Sequence, residues 1–86
     1  MEKIALVTGS SRGIGRAVAR ELGRQGWKVC INYLVRQDCA ESLAAELAAE
    51  GHEAMTYQAD VSRRQEVQNM VRAVEEKWGP VSLLVN

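Results

Sequence analysis

Three glycines, Gly9, Gly13 and Gly15, fall within the stretch "VTGSSRGIGRA" (7–17), directly after an apolar run and directly before an amphipathic one. That juncture constrains the fold more than any other part of the chain. The run "KIALV" (3–7), ended by Thr8-Gly9, suits a strand buried on both faces. From Gly13 to Gln25 the apolar residues Ile14, Val18 and Leu22 recur every four positions with Ala17 beside them, and Gly26 stands where a left-handed C-terminal cap belongs. A strand therefore passes into a helix through a glycine-rich turn.

The alternation continues to the end of the sequence. "KVCINY" (28–33) is β-branched and aromatic and predicts a second strand. In "DCAESLAAELAAEG" (38–51), Asp38 and Glu41 form a capping-box pattern, and Leu43, Leu47 and the alanines make one apolar face that stops at Gly51. "EAMTYQA" (53–59) predicts a third strand. Ser62 with Gln65 opens a second capping box, and Val67, Met70, Val71, Val74 and Trp78 mark the buried stripe of a third helix ended by Gly79-Pro80. "VSLLV" (81–85) predicts a fourth strand. A β-α-β-α-β-α-β order at this spacing implies an α/β fold with parallel strands joined by right-handed crossovers. The expected strand order is 3-2-1-4, with ligands binding at the carboxyl ends of the strands where the order reverses.

Composition removes several function classes. The 86 residues allow one domain, residues 1–86, which buries only about 60–65% of its unfolded surface. Eleven Lys and Arg balance eleven Asp and Glu, so no net field favours nucleic acid or an anionic membrane. No apolar run approaches the roughly 20 residues that span a bilayer, and the N-terminus reaches its glycine turn too soon for a signal peptide. The expected location is cytoplasmic. Cys30 and Cys39 follow no disulfide or metal pattern, and His52 has no second ligand near it, so no metal site is expected.

The glycine run has a chemical reading. At a strand-to-helix junction the backbone N–H groups of the first helical turn converge, with the positive end of the helix dipole behind them, and a pyrophosphate fits there. Gly9 permits the tight turn, while Gly13 and Gly15 lack side chains that would hold back the phosphates or hold the helix off the strand. A mononucleotide P-loop would need a glycine five residues after Gly9 followed by Lys and Ser or Thr, where Ile14, Gly15 and Arg16 stand instead. Ser10 and Ser11 suit phosphate contact and turn closure equally well.

"TGSSRGIG" (8–15) resembles the TGxxxGxG motif of the short-chain dehydrogenase/reductase family. Two further matches extend the resemblance over the whole chain. Asp60-Val61 matches the Asp-Val pair that follows the third strand in that family, whose acid contacts adenine, and Asn86 matches the first Asn of its Asn-Asn-Ala-Gly motif. "VTGSSRGIGRAVA", "INY" and "ADV" are most similar to the members that reduce 3-oxoacyl-[acyl-carrier-protein] in bacterial fatty-acid synthesis. The resemblance implies a three-layer Rossmann-type half fold. It also implies a nicotinamide dinucleotide held by Thr8, Gly9, Ser10, Ser11, Arg12, Gly13, Ile14, Gly15, Tyr33, Arg36, Asp60, Val61 and Asn86.

The second strand bears on which dinucleotide. NAD-binding proteins of this kind place Asp or Glu about 20 residues past the glycines to hold the ribose 2′-OH. Tyr33 stands there, Asn32 and Leu34 beside it are uncharged, and Arg12 and Arg36 are near enough to pair with a 2′-phosphate or to remain solvated surface residues. NADP(H) is favoured over NAD(H), although many NADP-dependent members carry a basic residue where Leu34 stands. Asp60 has a second reading as a loop residue bonding local N–H groups.

The family's catalytic YxxxK motif has no counterpart, since Gln37 lies four residues after Tyr33 and Val61 four after Tyr57. The chain is thus expected to be the N-terminal, cofactor-binding fragment of a carbonyl reductase, inactive alone, with acyl-carrier protein a partner of the full-length parent only. The contrasting expectation is an inert half-Rossmann module that binds nucleotide or assembles with itself. A fourth-strand edge without a further strand would leave Leu83 or Leu84 open to water, and a homodimer through that edge, or through the face beside the third helix, is expected.

Overall fold

The computed structural model describes residues 2–86. Strands β1 (Ile4–Val7), β2 (Lys28–Tyr33), β3 (Ala54–Gln58) and β4 (Leu83–Val85) alternate with helices α1 (Gly13–Arg24), α2 (Gln37–Ala49) and α3 (Arg64–Lys77). All pairings are parallel and the sheet order is β3-β2-β1-β4, as expected for an α/β crossover fold. Every residue of β1 is buried.

Two apolar clusters cover opposite faces of the sheet. Val7, Val29, Ile31 and Tyr33 pack with Ala19 of α1 and with Ala40, Leu43 and Leu47 of α2. Ile4, Leu6 and Cys30 point the other way, against Met70 and Val74 of α3. This alternation along each strand places α1 and α2 on one side and α3 on the other, which makes the three layers. Cys30 serves as a packing residue in the second cluster, and burial pushes its thiol up to about 12. The helices α1 and α2 are also joined at their polar rims. Arg20 donates to Glu46 at 2.5 Å, and Arg24 to Glu50 at 2.9 and 3.0 Å. Solvent screens pairs of this kind, so they orient the two helices more than they stabilise them.

Several local expectations are corrected. Neither predicted capping box forms: α2 starts behind Arg36 and α3 behind Arg63, with no side-chain cap bond at either. The Asp38 carboxylate is drawn to the Arg36 guanidinium instead, at 3.2 Å, and the Ser62 hydroxyl donates to Asp60 Oδ1 at 2.6 Å. Regular pairing in β4 begins at Leu83 rather than at Val81. Ser82 takes over the start of the ladder, its N–H donating to Ile4 O at 2.8 Å and its hydroxyl accepting from Ile4 N–H at 3.3 Å. Ile14, assigned to the buried stripe of α1, is 85% exposed, because the first turn of α1 overhangs the end of the sheet. The stripe is carried by Val18, Ala19, Leu22 and Gly23. No described helix is long and apolar enough to cross a membrane.

Candidate functional site

The turn between β1 and α1 is fixed from beneath. The Thr8 N–H donates to Val85 O at 2.9 Å, tying the turn to β4, and the Thr8 hydroxyl lies 3.2 Å from that carbonyl and 3.5 Å from Asn86 Oδ1. Gly9 has φ +58°, and its N–H donates to Asn32 Oδ1 at 3.0 Å. The fully buried Ser10 donates its hydroxyl to Val7 O at 2.6 Å and accepts the Asn32 N–H at 3.1 Å. Of the two readings of this serine, its side chain follows turn closure. The carbonyl of buried Ser11 accepts from Arg16 Nη1 at 3.1 Å, and the same nitrogen reaches Cys39 O at 2.6 Å, so Arg16 straps the turn to α2.

Gly13 and Gly15 do different work. A Cβ on Gly15 would stand 2.5 Å from Gly9 O and 3.0 Å from Ser10 Cα, so the closeness of α1 to its own turn depends on the missing side chain. A Cβ on Gly9 or on Gly13 (φ +67°) would meet nothing within 4 Å, so both positions open outward and leave room for a ligand against the backbone. The cradle thus fits a group that approaches the main chain closely.

Electrostatics set the N-terminus of α1 apart from those of its neighbours. The N–H groups of Gly13, Ile14 and Gly15 open the helix and have no carbonyl a turn earlier to reach. The first turn carries no acid, and the N-cap residue Arg12 makes no side-chain cap bond. By contrast, Asp38 lies in the first turn of α2 and Glu66 in that of α3. An anion placed at α1 meets a helix dipole that no acidic side chain in its first turn has already offset.

Beside that turn lies a cleft of about 320 Å³ at the carboxyl ends of β1 and β2. Gly9, Ser11 and Arg12 form one wall, and the segment from Tyr33 to Arg36 forms the other, with no carboxylate in the lining. Tyr33 contributes little beyond its main chain, since its ring is packed in the core. Leu34 and Val35 give an exposed apolar rim. Arg36 is held in a two-pronged pair with Asp38, both contacts at 3.2 Å, and this pairing keeps the Asp38 carboxyl below the usual carboxylate range.

Asp60 and Val61 follow β3 farther along the same edge, outside this cleft. Asp60 Oδ1 accepts from both the hydroxyl and the N–H of Ser62, at 2.6 and 3.0 Å, which lowers its pKa. The Asp60 N–H donates to Glu66 Oε1 at 2.8 Å. The side chain therefore shapes the loop, while Val61 is half exposed. Two residues of this region escaped sequence reasoning. Arg16 reads as one of many helix arginines, and Asn32 as a neutral member of a strand.

The comparisons with known proteins agree with this geometry. The family model for short chain dehydrogenases matches residues 3–86. The chain is 44% identical over 86 residues to the 3-oxoacyl-[acyl-carrier-protein] reductase FabG of Staphylococcus epidermidis, spanning 100% of itself but 35% of that protein. It is 42% identical over 86 residues to the short-chain dehydrogenase/reductase homolog YusS of Bacillus subtilis, covering 79% of that shorter relative. The crystal structure of a short chain dehydrogenase from Burkholderia cenocepacia in complex with NADP superposes with a TM-score of 0.93 at 42% identity, over 98% of this chain and 34% of that one. A blue fluorescent protein from a metagenomic library, in complex with NADPH, gives 0.91 at 37% identity, over 95% and 34%. A match that runs from Lys3 to Asn86 over a sheet of the same topology leaves one assignment: the chain belongs to the short-chain dehydrogenase family.

Proposed function

We propose that this chain is the NADP(H)-binding part of a short-chain oxidoreductase, a single unit over residues 1–86. The observation that carries the reading is the pairing of an uncapped, acid-free first turn of α1 with a carboxylate-free cleft that holds both Arg12 and Arg36. In this reading the N–H groups of Gly13, Ile14 and Gly15 face the pyrophosphate, Gly9 and Ser11 shape its approach, and Ser10 holds the turn from within. Arg12 and Arg36 take the 2′-phosphate, with Tyr33 contributing its main chain. A phosphate dianion offers Arg36 a stronger partner than the exposed Asp38 carboxylate does. Asp60 and Val61 border the adenine, and Thr8 and Asn86, neighbours at the ends of β1 and β4, add to the contact with the dinucleotide. The NADP and NADPH complexes of the two similar structures support this choice of cofactor.

When bound, the nicotinamide supplies hydride for reduction of a carbonyl. The resemblance to 3-oxoacyl-[acyl-carrier-protein] reductases supports a 3-oxoacyl group on acyl-carrier protein as the substrate of the complete enzyme. That complete enzyme acts in the cytoplasm, and residues 1–86 contribute no catalytic group. The test is calorimetric titration with NADPH and NADH at two salt concentrations. Saturable binding is expected, tighter for NADPH by about tenfold or more and weaker at high salt, as a charge-assisted phosphate contact of about 1.5–3 kcal/mol requires. Equal affinities would remove the 2′-phosphate assignment, and no binding by a folded chain would remove the whole reading. NADPH oxidation by the chain alone with a 3-oxoacyl thioester would overturn the claim that it is inert.

The second reading, a self-assembling module, draws on one observation. β4 is an edge strand, and Leu84 on it is 55% exposed. Pairing of two β4 edges, or of the faces beside α3, would cover such surface. Light scattering at micromolar concentration is expected to give twice the 9.5 kDa chain mass, and a monomer mass would refute the dimer.

A further inference from the structure

We infer that Asn32 is a positioning residue for the dinucleotide turn, an inference that rests on the proposed cofactor reading. Its side chain is 2% exposed at the end of β2 and joins three segments. Oδ1 accepts the Gly9 N–H at 3.0 Å, while Nδ2 donates to Tyr57 O at 3.3 Å and to Ala59 O at 3.2 Å. Its own N–H donates to Ser10 Oγ at 3.1 Å, and its carbonyl accepts the Ser10 N–H at 3.0 Å. The amide orientation is fixed by this company, since the flipped group would set a donor against the Gly9 N–H and an acceptor against two carbonyls.

The chemistry explains why an asparagine stands among the buried residues 29–33 of β2. The position needs one acceptor toward β1 and two donors toward β3, all within a side chain short enough to stay in the pleat. Aspartate supplies the acceptor but turns an anion toward the Tyr57 and Ala59 carbonyls. Alanine leaves the Gly9 N–H and both carbonyls to find other partners in a buried setting. Asn32 also engages the Gly9 N–H, so anion binding falls to the N–H groups of the first turn of α1. Because Ala59 directly precedes Asp60, one side chain ties the pyrophosphate turn to the adenine-side loop.

The test separates positioning from bulk stability. Asn32→Ala and Asn32→Asp are titrated with NADPH at a temperature where circular dichroism shows them folded, beside Leu22→Ala, a packing variant away from the cleft. The expected result is at least about a tenfold rise in Kd for both Asn32 variants, with Leu22→Ala unchanged for its folded fraction. An unchanged Kd in folded Asn32→Asp would overturn the inference. Native-state hydrogen exchange of the unsubstituted protein decides the case if neither variant folds. Protection of the Gly9 amide comparable to that of the β1 amides supports it, and exchange at the rate of an open loop overturns it. Absence of NADPH binding by the unsubstituted chain would refute the cofactor reading, while Gly9 protection would still report on Asn32.

Discussion

Gly15→Ala is expected to destabilise the fold and weaken NADPH binding by roughly 10- to 100-fold, the loss of about one charge-assisted hydrogen bond of about 1.5–3 kcal/mol. Helix propensity alone forecasts the opposite, since alanine is better than glycine inside a helix by about 1 kcal/mol. The surroundings decide the sign. A Cβ there would lie 2.5 Å from Gly9 O, 3.1 Å from Gly9 C and 3.0 Å from Ser10 Cα, all main-chain atoms that no rotamer change can move. Relief requires α1 or the turn to shift, and overpacking of this kind costs about 1–3 kcal/mol. The turn is held from the other side by Asn32 and Val7, so α1 yields, and its N–H groups leave the anion position. Gly9→Ala makes the useful contrast. It has open space but a φ of +58°, and strain of about 1–2 kcal/mol is its main penalty. Urea denaturation and NADPH titration of both variants test the ranking. A Gly15→Ala protein with a raised midpoint and unchanged affinity would show that the turn is not packed against α1.

The element sequence and the placement of the glycine turn follow from periodicity and punctuation, which are local signals, while the strand order rests on the crossover rules and the three layers on the family resemblance. Gly26, Gly51 and Gly79 end the three helices with positive φ, as their positions after each apolar stripe predict. Helix starts were less legible. Asp38 and Ser62 carry the right chemistry for caps, yet each has a closer partner two residues away, and a sequence pattern does not rank competing partners. Ile14 shows a second limit. Its spacing is correct for the buried stripe, but the sheet beneath it has already ended. In the candidate site, the motif predicts an anion at the first turn of α1, which the NADPH titration tests. The supports, Asn32 and Arg16, reach partners about twenty residues away along the chain, and only the folded arrangement shows those contacts.

The far end of α1 offers the second large effect. Leu47→Ala is expected to cost about 2–5 kcal/mol, the range for deleting a fully buried leucine side chain. In a domain whose whole stability is on the order of 5–15 kcal/mol, that lowers Tm by about 4–8 °C for each kcal/mol lost. Leu47 fills the space that Gly23 leaves: a Cβ on Gly23 would stand 2.8 Å from Leu47 Cδ2 and 3.0 Å from Cδ1. These are ends of a flexible side chain, unlike the main chain facing Gly15, so Gly23→Ala forces Leu47 aside and loses part of its helix-propensity gain of about 1 kcal/mol. With Leu47 already truncated, the new methyl group enters the vacated volume. The double variant is therefore expected to be more stable than the sum of the two single changes by about 1 kcal/mol, and additivity within about 0.3 kcal/mol would disprove the contact. Gly23 lies eight residues beyond Gly15, about 12 Å along the helix. Its variants should thus change the fraction folded and leave the NADPH affinity of the folded form intact, whereas Gly15→Ala changes both. One helix then carries two close contacts, of which Gly15 sets the ligand geometry and Gly23 sets how tightly α1 and α2 close the core.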